Sequence, residues 1–236
     1  MRSHIVLIAF LLAAAGSGTA GQSTLHHSVG AVDDKPWARE IAAFKAADTR
    51  HFPKPGGVVF VGSSSIALWP HLARDFPRAR VIQRGFGGSE LADVVYRAPE
   101  IVVPYKPRLV VVYAGDNDLA NGRSPEEVLA RFQEFVGVVR RSLPNTRIAF
   151  ISIKPSWARV SLLEKMRETN ERVRRYIEHE RGLIYVDVFS QMLSPEGYPR
   201  ARLLAADSLH MNEAGYRLWR HVLTPIVSKK RHAVLP

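Results

Sequence analysis

Cysteine is absent from all 236 residues. That absence excludes a disulfide framework, a thiolate metal site, a cysteine nucleophile and a lipid-modified cysteine anchor. Long hydrophobic runs are missing too. The uninterrupted apolar stretch near the N-terminus, from Ile5 to Ala15, holds 11 residues, where a membrane-spanning helix needs about 20. Glycine and proline, at 16 and 15 residues, are at ordinary levels and rule out a collagen-like or linker-like chain. Neither an internal repeat nor a low-complexity stretch is present. A hydrophobic share of 46% is too high for a disordered chain. What remains is a globular protein held together by packing, long enough to bury a sizeable core within one domain.

The first twenty residues read as an address. Met1 to His4 is a short basic start, Ile5 to Ala15 an apolar run, and Gly16 to Ala20 a string of small residues. That order is the n-region, h-region and cleavage zone of a secretory signal. The expected organisation is a signal peptide over 1–20, an N-terminal extension with one amphipathic helix over 21–55, the main domain over 56–229 and a basic tail over 230–236. The mature protein is expected to be exported, periplasmic or secreted, with no stable membrane insertion after cleavage. The formal charge is +11, from 33 Lys and Arg against 22 Asp and Glu. These cations are scattered, the densest clusters being Arg172 to Arg175 and Lys229 to Arg231. Without one continuous basic face interleaved with aromatics, no nucleic-acid partner is expected. A diffuse positive field still favours anionic surfaces such as lipid headgroups or acidic polysaccharide.

Strand and helix patterns alternate along the chain. Trp37, Ile41 and Phe44 fall at helical spacing behind Asp33-Asp34, and Pro53 to Gly57 then breaks the chain. Short apolar runs at Val58 to Val61, Arg80 to Gln83, Leu109 to Ala114, Ile148 to Ile153 and Leu183 to Val188 predict strands. Helices are predicted between and after them, over Leu91 to Tyr105, Pro125 to Ser142, Val160 to Arg181 and Glu213 to Val227. Ser124-Pro125-Glu126-Glu127 is a helix start, with an N-cap, a proline in the first position and acids in the first turn. Continuous apolar strands separated by helices imply an α/β fold: a single three-layer α/β/α domain with a mostly parallel five-stranded sheet.

In such sheets ligands bind at the carboxyl ends of the strands, so the segments just after each strand carry the information. Gly62-Ser63-Ser64-Ser65 follows the first strand. A serine there is either a plain helix N-cap or a nucleophile beside helix N–H groups. Arg84-Gly85-Phe86-Gly87-Gly88-Ser89 follows the second. It lacks the dinucleotide-binding spacing, and by itself reads as a tight turn. Tyr113-Ala114-Gly115-Asp116-Asn117-Asp118 follows the third. An Asn amide there can donate to an oxyanion. The two flanking acids supply too few oxygen ligands for Mg²⁺ or Ca²⁺, so neither a metal nor another cofactor is expected. Asp207-Ser208-Leu209-His210 lies near the C-terminus. An Asp three residues before a His can accept its Nδ1–H and raise the basicity of the other nitrogen, which makes His210 the best general-base candidate among nine histidines.

Together the four segments resemble, in order, the blocks of the SGNH hydrolase family, also called the GDSL esterase/lipase family. The resemblance runs from about Ile41 to Trp219. The leading helix with the segments at Val59 to Ile66 and Tyr113 to Asp118 is most similar to an exported bacterial branch related to platelet-activating-factor acetylhydrolase. It implies a flavodoxin-like sheet and a serine hydrolase that cleaves carboxylic esters through an acyl-enzyme. Ser64 matches the nucleophile, with Asp207 and His210 completing the triad. The backbone N–H groups of Ser64 and Gly88 and the side chain of Asn117 match the oxyanion hole. One departure stands out: Ser63 occupies the position of the family's aspartate, and Ser65 that of its leucine.

Trp69, Arg123, Lys154 and Trp157 lie near predicted strand ends and are candidates for lining a substrate pocket. Export and positive charge fit an acetylated cell-wall or plant polysaccharide, and equally a lipid ester or a small-molecule ester with a short acyl chain. Two alternatives remain: an O-acyltransferase using the same residues to deliver the acyl group to a glycan hydroxyl, and a catalytically silent carbohydrate-binding protein on the same fold. A basic surface-binding protein is a third. Oligomeric state is not legible.

Overall fold

The computed structural model describes residues 37–228. The expected signal peptide at 1–20, the Asp33-Asp34 pair and the basic tail at 230–236 lie outside these residues. The five apolar runs form β1 (Val58–Gly62), β2 (Val81–Gly85), β3 (Leu109–Tyr113), β4 (Arg147–Ile151) and β5 (Leu183–Val186). Every pairing is parallel, in the order β2-β1-β3-β4-β5. This is the flavodoxin-like order, with its switch point between β1 and β3.

Eight α-helices accompany the sheet among the described residues: α1 (Ala38–Arg50), α2 (Ser64–Ala67), α3 (Leu72–Asp75), α4 (Leu91–Ile101), α5 (Asp116–Ala120), α6 (Pro125–Ser142), α7 (Leu163–Glu178) and α8 (Glu213–Val227). Successive strand residues point to opposite faces, so each strand serves two cores. Val59, Val61, Val110, Val112, Ile148 and Phe150 pack with apolar residues of α1, α4, α6 and α7. Val58, Phe60, Leu109, Val111, Ala149 and Ile151 pack with α2, α3 and α8. Both faces being covered, β1 and β3 carry no polar side chain before Tyr113.

Helix boundaries follow local chemistry. The Ser124 hydroxyl accepts from Glu127 N–H at 3.2 Å, and the Glu127 carboxylate accepts from Ser124 N–H at 2.7 Å. This capping box starts α6 where the sequence pattern placed it. The segment read as one helix from Leu91 to Tyr105 is instead α4 followed by a 3₁₀ turn at Val103–Tyr105, with Pro104 in that turn unable to donate a helical hydrogen bond. The helix expected from Val160 starts later, at Leu163, after a 3₁₀ segment over Trp157–Leu162. The leading helix α1 is tied to the sheet by charge. Arg84 of β2 donates to Asp48 at 2.6 Å and to the Tyr105 hydroxyl at 2.8 Å. Burial pushes the Tyr105 hydroxyl up to about 12, so it stays a neutral donor to Asp48. On α7, Arg172, Arg174 and Arg175 each pair with a glutamate of their own helix at 2.6–2.8 Å. The densest basic cluster of the described residues is therefore a compensated, solvated helix face.

Candidate active site

The end of β1 meets β3 at very short range. Gly62 has φ +135°, and a Cβ there would sit 1.8 Å from the Tyr113 carbonyl oxygen, so only glycine permits the approach. Ser63 N–H donates to that same oxygen at 2.9 Å, and Ser64 opens α2. The Ser63 carbonyl accepts from the N–H groups of Ile66 at 2.9 Å and Ala67 at 3.1 Å, so it is the first acceptor of α2, directly beyond the strand end. Three serines compete here, and burial separates them. Ser63 is 0% and Ser65 1% exposed, whereas Ser64 is half-buried.

The Ser64 hydroxyl lies 3.0 Å from His210 Nε2, and His210 Nδ1 lies 2.6 Å from Asp207 Oδ2. The other oxygen of Asp207 accepts from the backbone N–H groups of Leu209 and His210, both at 2.9 Å. The His210 hydrogen bond and these two backbone donors hold the Asp207 carboxyl far below the usual carboxylate range. The turn that joins the pair is held from several sides. Ser208 takes a left-handed φ of 58°, and its carbonyl accepts from Ala158 N–H at 3.1 Å. Ala205 N–H donates to the His210 carbonyl at 2.8 Å. Asn212 caps α8 by accepting from Gly215 N–H at 3.1 Å, and its Nδ2 donates to the Arg202 and Leu204 carbonyls, both at 2.9 Å.

The second and third segments meet beside this pair. Gly88, with φ +77°, turns the chain after β2. The preceding Gly87 carbonyl accepts from Trp37 Nε1 at 2.8 Å. Asn117 donates through Nδ2 to the Ser89 carbonyl at 3.0 Å and accepts at Oδ1 from Arg159 at 2.8 Å. Asp118 accepts at Oδ1 from Leu91 N–H at 3.0 Å, anchoring the start of α4. Asp116 is ion-paired with Arg159 at 3.0 Å and lies 3.9 Å from Lys154. The acids flanking Asn117 are thus engaged in holding protein groups.

The four pocket candidates divide. Trp69 is a core residue that also lines a cavity with Pro70, His71 and Met211: it is 1% exposed, surrounded by Phe60, Phe76, Tyr216 and Trp219, and its Nε1 donates to Asp75 at 2.7 Å. Lys154 is corrected. It is 1% exposed and donates to the Leu209 carbonyl at 2.7 Å, so it braces the His210 turn rather than meeting solvent. Arg123 is exposed and pairs with Glu90, the residue after Ser89, at 3.3 Å. Trp157 is exposed and stacked on Tyr198, with centroids 5.9 Å apart and planes 6° apart. Its neighbour Ala158 donates to the Ser208 carbonyl in the turn that carries His210. Arg159, Trp37 and Asn212 escaped the reading of strand ends, because their partners lie far away in the chain or are backbone carbonyls.

Residues 57–218 match the model of the GDSL-like lipase/acylhydrolase family. No curated protein matches the chain by sequence. Solved structures share the fold. A platelet activating factor candidate from Streptococcus pneumonia is 19% identical, with a TM-score of 0.73 over 82% of this chain and 93% of that one. A GDSL-like lipase from Bacteroides thetaiotaomicron is 19% identical, with a TM-score of 0.68 over 79% and 98%. A catalytic mutant of an acetylxylan esterase from Geobacillus stearothermophilus is 16% identical, with a TM-score of 0.59 over 75% and 96%.

Proposed function

The chain belongs to the GDSL-like lipase/acylhydrolase family and is a carboxylic ester hydrolase, and from that premise we propose that it cleaves short-chain acyl esters through an acyl-enzyme on Ser64. The observation that supports this reading most is the unbroken line from Asp207 through His210 to the Ser64 hydroxyl, at 2.6 and 3.0 Å. Asp207, ionised and already saturated by backbone donors, fixes His210 with its proton on Nδ1 and a lone pair on Nε2 toward Ser64.

His210 Nε2 takes the hydroxyl proton as Ser64 Oγ attacks the ester carbonyl carbon. The carbonyl oxygen becomes an oxyanion, stabilised by the N–H groups of Ser64 and Gly88 and the Asn117 amide. Collapse breaks the bond to the leaving alkoxide, which takes the proton from His210 and departs as the alcohol. Water then enters. His210 removes its proton as it attacks the acyl carbon, and the second collapse returns the proton to Ser64 and releases the acid. Nothing in this cycle needs a metal or an organic cofactor.

The substrate is read more coarsely. An acetylated polysaccharide outside the cytosol fits the leader-like residues 1–20 and the positive charge. The fold neighbour that acts on acetylxylan makes acetyl esters the first to assay. The test is hydrolysis of p-nitrophenyl acetate, butyrate and octanoate by wild type and by Ser64→Ala, with a polyol present in one arm. Turnover that falls with chain length and vanishes in Ser64→Ala is expected. Acyl-polyol product in place of free acid would make the protein an acyltransferase. Ser64→Ala with wild-type turnover would defeat the assignment.

A further inference from the structure

The two ends of an asparagine side chain match in shape and differ in chemistry. Asn117 Nδ2 donates to the Ser89 carbonyl at 3.0 Å, and Asn117 Oδ1 accepts from Arg159 Nη2 at 2.8 Å. A carbonyl only accepts and a guanidinium only donates. If the amide turned over, oxygen would face oxygen and N–H would face N–H. One contact alone would leave the amide plane free to swing; two contacts at opposite ends fix both its plane and its sense. Ser89 uses one of the two Nδ2 hydrogens, which leaves the second for a substrate.

We propose that Arg159 is a positioning residue of the oxyanion hole. It holds the Asn117 amide with its free N–H toward the substrate, and its charge at Oδ1 polarises the amide so that this N–H donates more strongly. It acts only through Asn117 and touches no reacting atom. The inference rests on Asn117 being an oxyanion donor, as proposed above.

The surroundings of Arg159 suit the role. Its Nη1 is 3.0 Å from Asp116, a carboxylate 4% exposed, so the guanidinium is itself held in place. The residue before it, Ala158, donates to the Ser208 carbonyl inside the triad turn at 3.1 Å. Lys154 joins the same cluster, 3.9 Å from Asp116 and 2.7 Å from the Leu209 carbonyl. The segment after β4 therefore contacts the oxyanion side through Arg159 and the triad turn through Ala158. A preorganised donor owes its effect to such fixed partners, because no reorganisation is left to be done when charge develops.

The test is a double-mutant cycle of Arg159→Met and Asn117→Ala, read as kcat and KM on p-nitrophenyl acetate. Asn117→Ala should lower kcat on the order of 100- to 1,000-fold. Arg159→Met should lower kcat about 10- to 100-fold with KM changed less than about 3-fold, and should cost less than about 3-fold once Asn117 is gone. Arg159→Lys keeps a cation against Asp116 and so protects the fold. Its single ammonium replaces the fork that reaches both partners, and an intermediate kcat is expected. If Arg159→Met does not fold, the same cycle run with Arg159→Lys decides. Wild-type kcat in the Arg159 variants, or an equal loss with and without Asn117, would overturn the proposal while leaving the serine mechanism standing. Wild-type kcat in Asn117→Ala would overturn the oxyanion role of Asn117 and this inference with it.

Discussion

Replacing Asp118 by asparagine should make the protein more stable, by a margin that grows from about pH 4 and levels off near pH 7. Asp118 is 2% exposed. Its Oδ1 accepts from Leu91 N–H at 3.0 Å, while its Oδ2 is buried with no hydrogen-bond partner among the described residues. Burial is the main cause that pushes its pKa from 3.8 up to about 7, the nearby charges of Glu90 and Asp116 adding to the rise and the Leu91 N–H opposing it. Each unit is worth about 1.36 kcal/mol, so a rise of about 3 units corresponds to about 4 kcal/mol. The sign follows from which state holds the proton. Between about pH 4 and pH 7 the folded protein keeps it and the unfolded chain has lost it. Stability from this group is complete below the unfolded pKa and is lost as pH rises through about 7. Asparagine offers Leu91 the same acceptor and never ionises. Urea unfolding across pH 4 to 9 should give curves for wild type and Asp118→Asn that lie within about 1 kcal/mol at the acid end and diverge toward about 4 kcal/mol in favour of the variant above pH 8. A difference that stays flat with pH, or a variant less stable than wild type at pH 8, would refute the reasoning.

Lys154→Met leaves the Leu209 carbonyl without its buried donor, and should cost about 1–3 kcal/mol in urea unfolding together with a lower kcat, because the turn bearing His210 loses a brace. Unchanged stability and kcat would show that the turn holds itself. Trp37→Phe keeps the ring against Phe86 but loses the N–H to the Gly87 carbonyl. In a trans peptide that carbonyl points opposite to the Gly88 N–H, so freeing it should lower kcat about 10-fold with little change in KM; a wild-type kcat would separate Trp37 from the hole. Asp207 is held far below the carboxylate range, so the acid fall in activity that a general base implies should carry unit slope, one proton and not two. A flat kcat/KM from pH 5 to 8 would argue against His210 as the base.

The parts of the fold legible in the sequence are those written in local chemistry. Helices α6 and α8 begin and end where the pattern placed them, the one behind the Ser124 capping box and the other behind Asn212. All five strands appear where apolar runs stood. The all-parallel order follows from the same alternation of strand and helix. The short helices α2, α3 and α5 were not legible, being too brief to show a period. Helix α7 was drawn too long at its start because the 3₁₀ segment over Trp157–Leu162 carries apolar residues at helical spacing while Ala158 and Arg159 are engaged with the site. Within the site, Ser64 was legible because it directly follows a strand, and Asp207 and His210 because an Asp three residues before a His forms a recognisable pair. Lys154 looked like a cleft cation because its acceptor, Leu209, lies 55 residues away. Trp37 donates across 50 residues to a glycine carbonyl, a contact that leaves no trace in either residue's neighbours. The resemblance singles out Ser64 from Ser63 and Ser65, and burial separates the three in the same way.

The central claim is that Ser64, among three consecutive serines, is the nucleophile. Labelling the folded protein with a fluorophosphonate and mapping the adduct by fragmentation of the peptide containing Ser63, Ser64 and Ser65 tests it directly. The account predicts one adduct per chain, on Ser64, abolished by Ser64→Ala and by His210→Ala and retained in Ser63→Ala. An adduct on Ser63 or Ser65, or labelling that survives Ser64→Ala, would contradict it.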